Sequence, residues 1–221
     1  MIKLCIFDLD GTLVDSLDDL AFSINRAMKT HGLPARSRTE VQYALGIGVD
    51  YLVKTGIPEA LYSEELHKRI KAEHVAYYSG HCTDRTRPYA GIPEMLQTLH
   101  ETGLKLAVST NKPHIFLDKI MHDLFEGVPF VKITAAGEYP HKPDPTGVVA
   151  ILEENHVQRE ESLYIGDTDI DIKTAINAGV GSVGVTWGFR TREELAEAGA
   201  KNIIARPGEL VDLVQKLNTK S

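Results

Sequence analysis

From residue 104 onward the chain alternates short runs rich in β-formers with amphipathic stretches, and that alternation permits few folds. The runs at 104–109, 130–134, 162–165 and 182–185, and a weaker one at 202–205, read as strands, with helical periodicity in the intervals. Strands spaced this way pair in parallel, because a crossover helix returns the chain to the same end of the sheet. Pro93 after Gly91, and Pro113, suit first helical turns, while Gly103 and Gly179 fall where helices should stop. With the apolar run at 3–7 as a further strand, the expected fold class is α/β, a doubly wound parallel sheet.

Between the first strand and Pro88 the pattern is helical throughout. Leu17, Leu20, Ala21, Ile24, Ala27 and Met28 share one helix face, which His31 and Gly32 close. Ser37 to Glu40 has the form of a capping box opening a short helix toward Gly46, and Ser63 suits the cap of a longer helix reaching Tyr78. Asp15 and Ser16 are expected to start the first of these helices. A block of several helices exceeds an ordinary crossover. It is expected to form a second domain, residues 15–84, inserted into an α/β core of residues 1–14 and 85–221, with linkers at 14–16 and 83–88.

Thirty-one acidic against twenty-four basic residues leave a formal charge of −7 without a Lys/Arg run, which argues against nucleic acid as a partner. The longest apolar stretches are strand-sized and no leader pattern opens the chain, so a soluble cytoplasmic protein, monomer or homodimer, without membrane contact is expected. Cys5 and Cys82 form neither a pair motif nor a metal spacing and are expected to be reduced thiols without a role.

Polar residues stand after four of the strands. Asp8, Asp10 and Gly11 follow the first; Thr110, Asn111 and Lys112 the second; His141, Lys142, Pro143 and Asp144 lie beyond the third; Asp167, Asp169 and Asp171 follow the fourth. Open α/β sheets bind ligands beyond the carboxyl ends of their strands. The carboxylates of Asp8, Asp10, Asp167 and Asp171 should therefore converge, and mutual repulsion with lost hydration calls for a neutralising cation. All-oxygen ligands favour Mg²⁺ shared with a phosphate. Lys142 offers a point charge, Thr110 a hydroxyl, and the backbone N–H groups at Gly11 and after Asn111 can meet an anion.

The segments Asp8-Leu9-Asp10-Gly11-Thr12, Ser109-Thr110-Asn111, Lys142-Pro143-Asp144-Pro145 and Gly166-Asp167 with Asp171, in this order, resemble the four signatures of the haloacid dehalogenase superfamily of phosphohydrolases. The helical insertion is similar to that family's mobile cap. The resemblance implies that Asp8 is a nucleophile forming an aspartyl-phosphate and that Asp10 is the acid and base. It also implies that Asp8, the Asp10 carbonyl and Asp167 hold Mg²⁺, with Asp171 as ligand or outer support. Thr110 and Lys142 would hold phosphoryl oxygens, and Asn111 would contact substrate. Residues 184–195 look like the corresponding part of phosphoglycolate phosphatases, although Trp187 and Phe189 can equally pack the sheet's end. A small phosphorylated metabolite is the expected substrate. A β-phosphoglucomutase-like phosphotransferase lacks support at Ile47 to Asp50, where such enzymes continue from Gly into a Ser-Arg pair. A pyrophosphatase or nucleotidase stays open, and a phospho-receiver module would have neither the insertion nor Asp10.

Overall fold

A computed structural model describes residues 1–219. Strand β1 (Leu4–Phe7) leads through a tight turn to β2 (Val14–Asp15), followed by α1 (Leu17–Thr30), α2 (Arg38–Ala44), α3 (Val49–Lys54), α4 (Glu64–His81) and β3 (Arg87–Pro88). Then come α5 (Ile92–Glu101), β4 (Lys105–Pro113), α6 (His114–Phe125), β5 (Phe130–Ala136), α7 (Thr146–Asn155) and β6 (Ser162–Gly166). The chain ends with α8 (Asp169–Ala178), β7 (Gly181–Val185), α9 (Arg192–Glu197), β8 (Asn202–Ile204) and α10 (Gly208–Thr219). No helix among the described residues is long and apolar enough to cross a membrane.

The main sheet has the order β5-β4-β1-β6-β7-β8 with every neighbouring pair parallel, as the alternation requires. β1 lies at the centre, with β4 on one side and β6 on the other, so the loops leaving these three strands bound a crevice. The strands read as unbroken apolar runs because both faces are covered. Cys5, Phe7, Leu106, Val108, Leu163 and Ile165 pack with Leu96 of α5, Ile120 of α6 and Leu210 of α10. Their neighbours Leu4, Ile6, Ala107 and Tyr164 face Ile151 of α7 and Ala175 of α8.

Two features differ from the sequence reading. β4 does not stop at Ser109 but runs to Pro113, with an irregular register against β5 between Ser109 and Pro113. Thr110, Asn111 and Lys112, expected in an open loop, are buried there, and Pro113 precedes α6 instead of lying inside its first turn. The linkers also pair with each other, since β2 and β3 form an antiparallel ribbon matching Val14 with Pro88 and Asp15 with Arg87. Two residues per strand carry no readable period. Asp19 secures this crossing by accepting from the backbone N–H groups of Arg85 (2.9 Å) and Thr86 (2.8 Å) and from the Thr86 hydroxyl (2.8 Å).

The helices between β2 and β3 follow their sequence signals closely. Leu17, Leu20, Ile24, Ala27 and Met28 are buried along α1, Ser37 and Glu40 form the reciprocal capping box, and Ser63 accepts from Leu66 N–H. The long helix α4 is weakly patterned because what it buries includes His74 and Tyr78. Ser23 Oγ meets His74 Nδ1 at 2.9 Å, and burial pulls that imidazole down to about 4, so it stays neutral. Cys5 and Cys82 are both free and buried.

These environments set different mutational costs. Ile165→Ala, at a site 1% exposed in the central sheet, should cost about 2–5 kcal/mol in urea unfolding. Ser37→Ala at the capping box of α2 should cost about 1 kcal/mol. Equal costs would contradict this placement of the core.

Candidate active site

The backbone after β1 positions the first two carboxylates. Asp8 N–H donates to Ile165 C=O at 2.9 Å, prolonging the ladder one residue beyond the strand, and the chain then turns so that Leu13 and Val14 both donate to Leu9 C=O. Gly11 N–H closes this turn on Val14 C=O at 2.9 Å. That amide, expected to meet an anion, is therefore occupied. Gly11 instead provides close approach: at φ +88° its α-carbon lies so near the Asp167 carboxylate that a Cβ would collide with it.

Lys142 organises the centre. Its ammonium lies 2.8 Å from Asp8 Oδ1 and 2.7 Å from Asp171 Oδ1, and donates to Tyr164 Oη at 3.0 Å. Asp171 Oδ2 accepts from Thr168 N–H (3.0 Å) and Thr168 Oγ1 (2.7 Å) in the capping box of α8, so both its oxygens are held. Asp167 accepts from Thr12 Oγ1 at 2.8 Å and from Phe189 N–H at 2.8 Å. Asp8, Asp167 and Asp171 each present an oxygen within 4.8 Å of the others, and all three are buried.

Burial pushes the Asp8 carboxyl up to about 7, with Asp171 adding to the rise and Lys142 opposing it. Asp167 is raised well above the carboxylate range by burial, then by Asp171 and Asp8. Burial works to lower Lys142, yet Asp171 and Asp8 outweigh it and keep the ammonium charged. One lysine does not balance three buried carboxylates. A divalent cation among hard oxygen donors fits this set, and no His or Cys belongs to it.

Asp10 departs from this cluster and meets a second lysine. Lys112 Nζ lies 2.9 Å and 3.0 Å from its two oxygens and donates to Tyr78 Oη of α4 at 2.9 Å. Ser16, expected to cap α1, makes no cap bond and donates its hydroxyl to Asp10 Oδ1 at 2.5 Å. Thr110 Oγ1 accepts from Lys112 N–H at 3.1 Å, which leaves its own hydroxyl hydrogen to donate. Asn111, expected to contact substrate, uses its amide structurally. Nδ2 donates to Gly46 C=O (2.8 Å) and Lys142 C=O (3.2 Å), and Oδ1 accepts from Lys142 N–H (2.7 Å). It thereby ties the Lys142 loop to the turn between α2 and α3.

Asp8, Asp10, Thr110 and Lys112 open into one cavity of about 40 Å³, walled on the helical side by Leu20, Leu45, Val49, Leu52 and Tyr78. A profile described as haloacid dehalogenase-like hydrolase matches residues 5–185, spanning every one of these groups. The chain belongs to the haloacid dehalogenase-like hydrolases. Within this family it is 31% identical over 219 residues to a phosphoglycolate phosphatase of Vibrio parahaemolyticus, covering 96% of each chain. It is also 31% identical over 218 residues to an N-acetylmuramic acid 6-phosphate phosphatase of Pseudomonas aeruginosa, covering 97% of this chain and 96% of that one. Among solved structures it superposes with TM-score 0.90 and 30% identity on a predicted phosphoglycolate phosphatase from Haemophilus somnus, covering 96% and 98% of the two chains.

Two contributions to this hydrolase site escaped the sequence. Lys112 sits in a polar run that reads as loop. The segment after β7, which resembles phosphoglycolate phosphatases but whose aromatics can equally pack the sheet's end, has contacts the sequence did not specify: Trp187 donates its indole N–H to Thr12 C=O at 3.0 Å, Phe189 N–H holds Asp167, and Gly188 admits that carboxylate where a Cβ would collide. The glycine between two aromatics was the available signal.

Gly11→Ala should therefore be much more destabilising than Gly103→Ala. Both glycines have φ near +85° to +88°, but only Gly11 has neighbours within 4 Å of the place a methyl group would take. Gly103→Ala should cost about 1–2 kcal/mol, and a similar denaturant midpoint for the two variants would contradict the close approach of Asp167.

Proposed function

We propose that the protein is a phosphatase that hydrolyses a small phosphate monoester through covalent attack by Asp8, under a cap formed by residues 15–84. The reading rests on one observation above others: the Asp8 carboxylate lies buried at the switch point of the sheet, held at Oδ1 by Lys142. A carboxylate fixed this way has one orientation, and its second oxygen is available to phosphorus. Attack breaks the bond from phosphorus to the ester oxygen and leaves an aspartyl-phosphate; Asp10 gives its proton to the departing oxygen. Asp10 then takes a proton from the water that attacks phosphorus, releasing phosphate and restoring Asp8.

Lys142 and the free hydroxyl hydrogen of Thr110 hold phosphoryl oxygens as charge redistributes. Asp8, the Asp10 carbonyl and Asp167 would hold Mg²⁺. When bound, Mg²⁺ supplies the positive charge that lets a carboxylate approach an anionic phosphoryl group. Asp171, with Oδ1 on Lys142 and Oδ2 on Thr168, supports Lys142 from behind. Asn111 positions the same lysine through its backbone, and Gly11 makes room for Asp167. The cap contributes water exclusion, its apolar residues lining the wall opposite Asp8. Names carried by the relatives point to phosphoglycolate and a phosphorylated amino sugar acid.

Asp8→Asn should abolish phosphate release from small esters while leaving the circular dichroism spectrum and thermal midpoint close to wild type. Turnover at the wild-type rate, with deamidation ruled out, would refute the assignment. The raised pKa of Asp8 sets a second expectation. Because the folded carboxyl titrates near 7 and the unfolded one near about 4, the folded state binds more protons between these values. Stability of ion-free protein is therefore lost as pH rises through that window. Added Mg²⁺ should raise the melting temperature more at pH 7.5 than at pH 5, and an equal or opposite response would contradict a cation at Asp8.

A further inference from the structure

Between Gln42 and Ile47 the helical block turns backbone carbonyls toward the core, and three core loops meet them. Arg190 donates to Gln42 C=O (3.3 Å), Tyr43 C=O (3.2 Å) and Leu45 C=O (3.4 Å). Asn111 donates to Gly46 C=O (2.8 Å) and His141 Nδ1 to Ile47 C=O (3.1 Å). The last carbonyls of a helix lack partners within it, and α2 has no basic residue in its own last turn. Arg190 supplies those donors from the core and sets its guanidinium 4.9 Å from the centre of the Tyr43 ring. In the other direction, Gln42 Nε2 donates to Phe189 C=O at 2.8 Å.

We infer that Phe189 and Arg190 form a latch through which seating of the helical block and metal binding at Asp167 favour one another. The inference rests on the phosphatase reading and deepens it, giving positioning roles to Gln42 and Arg190. Phe189 is held from both sides: its N–H lies on Asp167 Oδ2 at 2.8 Å and its C=O on Gln42 of α2. The residues before it meet the same carboxylate's surroundings. Gly188 lies so close to Gly11 C=O and the Asp167 side chain that a Cβ would strike both, and Trp187 donates to the backbone of Thr12, whose hydroxyl donates to Asp167 Oδ1.

Hydrogen bonds from outside the metal shell aim a ligating carboxylate. Of the two donors on Asp167, Thr12 belongs to the turn after β1, whereas Phe189 belongs to a connection whose far side is fastened to α2. Unseating α2 removes the bonds on that far side, so the Phe189 N–H loses part of what fixes it and Asp167 is aimed less firmly. Coupling of this kind is reciprocal: what seating adds to Mg²⁺ affinity, Mg²⁺ adds to seating. Another tie between block and core has no such reach, since Thr83 Oγ1 donates to Asp123 Oδ2 at 2.7 Å on α6, where Asp123 otherwise meets Lys119.

Calorimetric titration of the full chain with MgCl₂, without substrate, tests the latch. Arg190→Ala and Gln42→Ala should each raise the Mg²⁺ dissociation constant about tenfold, while Thr83→Ala should leave it within about twofold of wild type. Trp187, the chain's single tryptophan, gives a second readout: acrylamide should quench its fluorescence at least twice as strongly in Arg190→Ala as in wild type. Gln42→Ala removes one neutral hydrogen bond and no charge, so it carries the test should Arg190→Ala fail to fold. A dissociation constant within twofold of wild type in a folded Arg190 or Gln42 variant, or equal weakening in Thr83→Ala, overturns the latch and leaves the proposed metal site and phosphatase intact. If the wild type takes up no Mg²⁺, the metal assignment falls and the latch with it, whereas phosphate release from small esters separately decides the phosphatase reading.

Discussion

Everything in this molecule that bears on chemistry depends on how buried charge is balanced at the carboxyl end of β1. Asp8, Asp10, Asp167 and Asp171 face two ammonium groups, Lys142 and Lys112, which leaves an excess equal to the charge of one divalent cation. In protein alone that excess appears as carboxyls held above their ordinary range at Asp8 and Asp167. Solvated carboxylates would tolerate such proximity, but here water is excluded and each charge needs a partner. The lysines are therefore placed with care: one joins Asp8 to Asp171, the other joins Asp10 to the helical block through Tyr78.

The backbone makes this density of charge reachable. Gly11 and Gly188 bring two chain segments against the Asp167 carboxylate, where side chains would hold them off. Asp8 is fixed by a strand hydrogen bond, Asp171 by the first turn of α8, and Lys142 by the Asn111 amide. Each charged group thus stands on a regular element or is tied to one, which is how a site keeps its geometry as charge moves through it. Because Asn111 also holds Gly46, the loop carrying Lys142 and the turn between α2 and α3 are linked through one side chain.

Much of the scaffold was legible because it rests on local rules. Parallel strands buried on both faces show as apolar runs, and α1, α2 and α4 announce their starts through Ser, Thr or acidic residues near their first turns. Asp8, Lys142 and Asp167 were legible too, since their positions after successive strands already imply one edge of the sheet. The ribbon of β2 with β3 was not, for two-residue strands carry no period. Nor was the bend at the end of β4, which buries Thr110, Asn111 and Lys112 in a stretch that reads as solvated loop.

By itself the sequence determined the α/β class, the strand-and-helix alternation, the helical insertion and the carboxylates and lysine that follow the strands, because hydrophobic period and capping act over a few residues. Only the tertiary structure decided the partners: that Lys112 answers Asp10, that Ser16 leaves its helix to join them, that Asn111 serves the backbone and that Phe189 steadies Asp167. These pairings cross from six to more than a hundred residues of chain. Local preferences carry no information about which distant group will share a water-free pocket, and the demand that every buried charge find a partner is met only once the sheet has closed around it.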